Sequence, residues 1–211
     1  MNCSAPSRKG LRLEALHLTR KSARPYLRSR GSVFEKLRED MKHYENAGGW
    51  YRSLGFWVTA TYRFGSWAHH SIENKPLQFV ALVAHKGAAT PWRFFKSVGI
   101  PSRAEIGEGF CLHHPWNINI PPTTRIGKNC TIYQEVTLGH GPVPGFPTIG
   151  DNVRIFAGAK ILGGITIGDN VEIGANAVVT RDVPAGSVVS APPARSIPRD
   201  TADKLKQHRD A

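Results

Sequence analysis

Cysteine is the first shortage. The chain has three, Cys3, Cys111 and Cys130, with neither metal-ligand spacing nor the density of a disulfide framework. A reducing cytoplasm is the default setting for such a chain. No run of eighteen apolar residues occurs, which excludes a membrane span of ordinary length. The apolar patch from Leu77 to Ala84 is too short and too central to be a signal peptide. Acids are scarce as well, with 16 Asp and Glu against 28 Lys and Arg and a net charge of +12. That imbalance is mostly local. Residues 1–30 hold eight basic side chains and one acid, Glu14, so they carry +7 of the total. Such a like-charged start reads as a solvated, flexible tail over residues 1–31. No nucleic-acid recognition motif accompanies it, so no nucleic-acid partner is expected.

What remains is enough for one or two domains with a real core, since the chain has 211 residues, 40% of them hydrophobic. Residues 32–99 read as a helical domain. Val33, Phe34, Leu37, Met41 and Tyr44 recur at three- and four-residue steps with charges between them. A second stretch, Leu54 to Ala68, carries Phe56, Trp57, Tyr62, Phe64 and Trp67, whose spacing predicts core positions. A third, Leu77 to Phe95, is interrupted by Gly87 and Pro91.

From residue 100 to 195 a six-residue beat replaces helical spacing. Large aliphatics fall at Ile106, Leu112, Ile120, Ile126, Ile132 and Leu138, then at Ile149, Ile155, Ile161, Ile167, Ile173 and Val179. Two positions before each stands a second residue, usually smaller and mostly apolar, on the same side of a strand. Each unit is a short strand plus a turn, and three units close one triangular coil. Twelve units make about four coils, followed by a short C-terminal tail over residues 196–211. Cys130 falls at an inward position and reads as core.

The beat slips twice, by two residues between Leu112 and Ile120 and by five between Leu138 and Ile149. Insertions in a solenoid leave as loops, often on its binding face. His113 and His114 sit in the first slip and His140 in the second, which marks these histidines for proton transfer. Counting two residues past the inward aliphatic of one face gives a column of His114, Gln134, Ala157 and Ala175. Its small residues would let an extended ligand lie against the backbone with its reactive end at His114.

The ladder resembles the left-handed β-helix acyltransferases, and its details resemble the serine O-acetyltransferase branch. The matching motifs are Gly55-Phe56 with Tyr62-Arg63-x-Gly65-x-Trp67, Ile106-Gly107-x-Gly109 with Leu112-x-His114, and Tyr133-Gln134-x-Val136-Thr137-Leu138-Gly139. Gly158-Ala159-Lys160-Ile161-Leu162-Gly163 and Pro193-Ala194-Arg195 complete the set. The resemblance implies an α+β protein, an N-terminal helical region followed by a left-handed parallel β-helix. It implies acetyl-CoA as co-substrate, no metal, direct transfer to a hydroxyl with His114 as base, and a homotrimer. It also implies coenzyme-A contacts at Ala157, Ala175, Thr180, Arg181 and Arg195, and an oxyanion site at the backbone around Gly139 and His140.

The departures concern the acceptor. The Asp that orients the family's catalytic histidine is replaced by Gly99, which leaves Glu135, Gln134 or a backbone carbonyl to hold the imidazole. The Arg-His pair that meets the serine carboxylate reads Gly145-Phe146, and the acidic acceptor motif is absent from Asn46-Ala47-Gly48-Gly49-Trp50. L-serine is the provisional acceptor and a sugar hydroxyl of a surface polysaccharide the alternative, with Trp116 and Phe146 able to stack on a ring. A non-catalytic β-helix scaffold is a further alternative. A β-helical carbonic anhydrase needs two histidines separated by four residues, and Gly145 occupies that position after His140.

Overall fold

In the computed structural model, residues 32–45 and 49–192 are described. The basic tail, Asn46 to Gly48 and Arg195 lie outside the described residues. Three helices come first: α1 (Val33–Glu45), α2 (Leu54–Ser71) and α3 (Lys75–Lys96), with a 3-10 turn at Trp50–Arg52. A capping box opens α1. The Ser32 N–H donates to Glu35 at 2.7 Å and the Glu35 N–H to Ser32 Oγ at 3.3 Å, satisfying two amides that the helix leaves free. Asn74 caps α3 by accepting from the Leu77 N–H, and Ser97 ends it in the left-handed region at φ 51°.

Two expectations for this region are corrected. Gly87 and Pro91 do not interrupt α3, which runs through both. Pro91 removes one amide donor, but it lies on the exposed side, where water reaches the carbonyl left behind. The aromatics of α2 divide as well. Phe56 and Tyr62 are buried, whereas Trp57, Phe64 and Trp67 are exposed.

The remainder is a parallel β-solenoid with three faces. The first face holds β1 (Glu105–Ile106), β3 (Arg125–Ile126), β6 (Thr148–Ile149) and β9 (Thr166–Ile167). On the second lie β2 (Cys111–Leu112), β4 (Thr131–Ile132), β7 (Arg154–Ile155), β10 (Glu172–Ile173) and β12 (Val188–Val189). The third holds β5 (Thr137–Gly139), β8 (Lys160–Leu162) and β11 (Val178–Val179), extended by Asn119, which bridges to Gly99 and to Thr137. Every inward aliphatic of the beat is buried, as are Val136, Val153, Ile165 and Val171, which follow the turns and lead into the next strands. Each such side chain stabilises the rod by about 1.5–3 kcal/mol relative to exposure. One corner repeats Gly109, Asn129, Asn152, Asn170 and Gly186, all at positive φ. Asparagine and glycine tolerate that conformation, and here the side chains also join between coils, Asn129 to Asn152 at 3.3 Å and Asn152 to Asn170 at 3.2 Å.

The helices plug one end of the rod through buried polar contacts. Arg63 grips Asp40 at 2.8 and 3.0 Å and donates to the carbonyls of Ile106 at 2.7 Å and Gly107 at 2.5 Å. Asp40 also accepts from the Phe110 N–H at 2.8 Å, and Tyr62 donates to the Ala104 carbonyl at 2.7 Å. Every polar atom of this buried ion pair that bonds outside it finds solenoid backbone, which offsets the cost of removing two charges from water. Gly55 completes the junction, because a Cβ there would collide with the Leu112 carbonyl oxygen.

Candidate active site

The first insertion forms a bulge after β2. The His113 N–H still bonds the Ile132 carbonyl at 2.9 Å, so the ladder holds through His113. His114 then turns into the left-handed region at φ 50°, with its side chain exposed. The chain returns to register at Trp116, whose carbonyl accepts from the Glu135 N–H at 2.8 Å. Below it the Gly158 N–H bonds the Gln134 carbonyl at 3.0 Å and the Asn176 N–H bonds that of Ala157 at 2.9 Å. The column is therefore Trp116, Gln134, Ala157 and Ala175. Counting from Leu112 placed His114 at its head, but the inserted residues push His114 outward, beside the column rather than in it.

Around the bulge the environment is aromatic and cationic. His113 stacks on Tyr133 at 5.0 Å, and Tyr133 on Phe156 at 5.2 Å. Burial first, and then the proximity of the His114 and His43 rings, holds the His113 imidazole below its ordinary value. Lys96, the last residue of α3, sets its ammonium 4.8 Å from the centre of the exposed Trp116 ring, and its carbonyl accepts from the Asn117 N–H at 2.8 Å. The Leu112 N–H is held by the Tyr44 hydroxyl at 2.8 Å, which fixes the strand leading into the bulge. Burial raises the neighbouring Cys111 thiol to about 11, so it carries no thiolate.

Among the described residues no hydrogen bond holds the His114 ring. Glu135 is exposed at a corner with φ 61°, and no bond joins its carboxylate to His114. Gln134 is different, because its Oε1 is buried with no hydrogen-bond partner among the described residues. At Gly99 a Cβ would meet only Asn119 Oδ1, at 3.7 Å, so the position has room for a larger side chain.

The second insertion leaves β5 at the opposite edge of the third face. Gly139 pairs with Leu162, and its carbonyl accepts from the Gly163 N–H at 2.8 Å. His140 follows, exposed, its ring 4.2 Å from that of Phe146. The loop then folds along the rod, where the Gly164 N–H bonds the Val143 carbonyl at 3.0 Å and a Cβ on Gly164 would strike the Pro144 carbonyl. Thr180 and Arg181 come off β11 at this same edge, Arg181 exposed. Thus Ala157 and Ala175 line one edge of the third face, near His114, while Gly139, His140, Thr180 and Arg181 line the other.

A model of the bacterial transferase hexapeptide (six repeats) matches residues 146–181. The serine acetyltransferase of Staphylococcus aureus (strain N315) is 37% identical over 172 residues, which cover 80% of this chain and 80% of that one. The chain belongs to the serine acetyltransferase family. Two solved serine acetyltransferases agree in fold. Isoform 3 of Entamoeba histolytica, in complex with cysteine, is 26% identical with a TM-score of 0.64; the match covers 83% of this chain but 65% of the longer Entamoeba chain. A serine acetyltransferase in complex with CoA is 28% identical with a TM-score of 0.63, over 79% of this chain and 70% of that one. Sequence reasoning missed Lys96, and it named Trp116 as a ring for stacking on a sugar without seeing its place at the head of the column. Lys96 belongs to a helix rather than to the repeat, and the insertion concealed that Trp116 resumes it.

Proposed function

We propose that this chain transfers the acetyl group of acetyl-CoA to the hydroxyl of L-serine, with His114 as general base. The observation that carries the reading is His114 itself, a family-motif histidine displaced from the ladder and exposed beside a column ending in alanines. Neutral His114 takes the hydroxyl proton as the oxygen attacks the thioester carbon. The tetrahedral oxyanion is held by backbone N–H groups at the end of β5, around Gly139 and His140. Collapse expels the CoA thiolate, which takes the proton back from the imidazolium, so no covalent enzyme intermediate forms. The unpartnered Oε1 of Gln134 suits it to accept from the imidazole, replacing the carboxylate that Gly99 lacks. CoA lies along Ala157 and Ala175 of one copy, with Thr180 and Arg181 of the next toward its phosphates, where guanidinium groups form paired bonds, and Arg195 is the further guanidinium that the family motif offers.

A serine carboxylate needs a cation, and the loop from Gly139 to Ile149 holds no Lys or Arg. Lys96, poised over Trp116 beside the bulge, supplies one. The two histidines occupy opposite edges of the third face, so a ring-closing trimer would bring His114 of one copy toward His140 of the next. A sugar hydroxyl is the second reading, favoured by Phe146, which packs on His140 where the family has a polar pair. The test is thiol release from acetyl-CoA by purified protein, with L-serine and then with a panel of sugars. Release dependent on L-serine, lowered about 10²–10⁴-fold by His114→Ala, supports the proposal. Release with sugars alone moves the acceptor, and unchanged turnover in His114→Ala removes the base.

A further inference from the structure

Helix α3 is the outermost element of the helical region. Among the described helices and strands only α2 packs against it. That packing uses one face, where His85 bonds the Thr61 carbonyl at 3.1 Å, Trp92 donates to Thr61 Oγ1 at 3.0 Å and Gln78 donates to the His69 carbonyl at 2.9 Å. The opposite side carries Phe79, Val80, Val83 and Phe94, with Leu77 and Phe95 at its border, all exposed, Phe94 reaching 83% and Phe79 70%. Phe79, Val83 and Phe94 follow the helical repeat, Gly87 and Thr90 fill the stripe between them, and no charge interrupts it. So large an uncharged stripe marks a docking surface.

Charge identifies what it docks on. The 22 residues of α3 contain no Asp or Glu, while Lys75, Lys86 and Arg93 lie along one flank of the stripe and Lys96 closes the helix. A second copy laid on this face would set cations against cations with no acid to offset them. An anionic surface meets both requirements at once. We propose that the outer face of α3 docks on an anionic phospholipid bilayer, its aromatic and aliphatic side chains entering the headgroup boundary and its flanking cations pairing with lipid phosphates. The helix lies in the plane of the surface. No helix among the described residues is long and apolar enough to cross a membrane, and a stripe on one side suits insertion from that side only.

The experiment is co-sedimentation of the full chain with phosphatidylcholine vesicles, with and without phosphatidylglycerol. The substitutions are Val83→Glu with Phe94→Glu, and Lys86→Glu with Arg93→Glu, all at exposed positions. Wild type is expected to pellet with the anionic vesicles, less so as salt rises. The apolar pair is expected to cut the bound fraction at least about tenfold with acetyl transfer in solution unchanged. Lack of binding by wild type overturns the proposal. Binding by the Glu variants equal to wild type also overturns it, assigning any attraction to the basic tail. If light scattering instead shows that Val83→Glu with Phe94→Glu halves the molar mass in solution, the face belongs to a second copy and the proposal fails.

Discussion

Lys96 stands between two structures, ending α3 and leaning over Trp116 in the first coil. If its ammonium anchors the acceptor carboxylate, Lys96→Gln loses a charge-assisted contact made in both ground and transition states. The KM for L-serine should then rise about 10–100-fold while kcat changes little. Steady-state kinetics at varied serine checks this, and an unaltered KM would leave the acceptor without a cation from this helix. Gln134 illustrates the limit of reading single residues from sequence. Its type and its place one coil from the histidine were legible, but the isolation of its Oε1 depends on how the neighbouring coils pack. The position of His114 relative to the column was not legible either, since a count of residues does not show which of the inserted ones leaves the ladder.

Between elements, the α2–α3 contact is set by a ring in a slot. A Cβ on Gly65 would strike the His85 ring, so the two helices approach closely only because that position is glycine. Burial holds His85 below its ordinary 6.5, opposed by the bond to the Thr61 carbonyl. Above about pH 6.5 folded and unfolded chains are both neutral at this site and its packing is fully effective. As pH falls further the unfolded chain takes the proton first, so stability declines until the folded form titrates too. His113 and His69, also lowered chiefly by burial, act in the same direction. His85→Phe keeps a flat ring in the slot and should shrink the drop in Tm between about pH 7 and pH 5, measured by thermal melts. Equal drops would show that the helical pair does not sense this proton. The solenoid was the most legible part of the fold, because each coil must repeat the same inward side chains to close. The rungs beyond Val179 were not legible. Val183 bridges to Ile167 and Val189, six residues on, pairs with Ile173, but the step from Val179 to Val183 is only four residues and both are only partly buried. Pro91 and the exposed aromatics misled for a related reason, since periodicity reports that a face is apolar but not whether anything covers it.

For the whole molecule, the division of candidate residues between two edges of one face has a direct test. Co-expressed His114→Ala and His140→Pro chains should recover acetyl transfer that each loses alone, because proline removes the backbone N–H assigned to the oxyanion and some interfaces would pair an intact His114 with an intact His140. Assay of the co-purified mixture decides, and no recovery would place both histidines in a site within one chain. The plug at the helical end carries a different implication. Arg63 and Asp40 bind the first coil through buried charge-assisted bonds, whereas β12 holds on by a single ladder and its Val188 is 73% exposed. The rod is therefore mechanically polar. Under tension it would shed coils of eighteen residues, the spacing of Arg154 and Glu172, from the β12 end. The turn bearing His114 would be the last to let go.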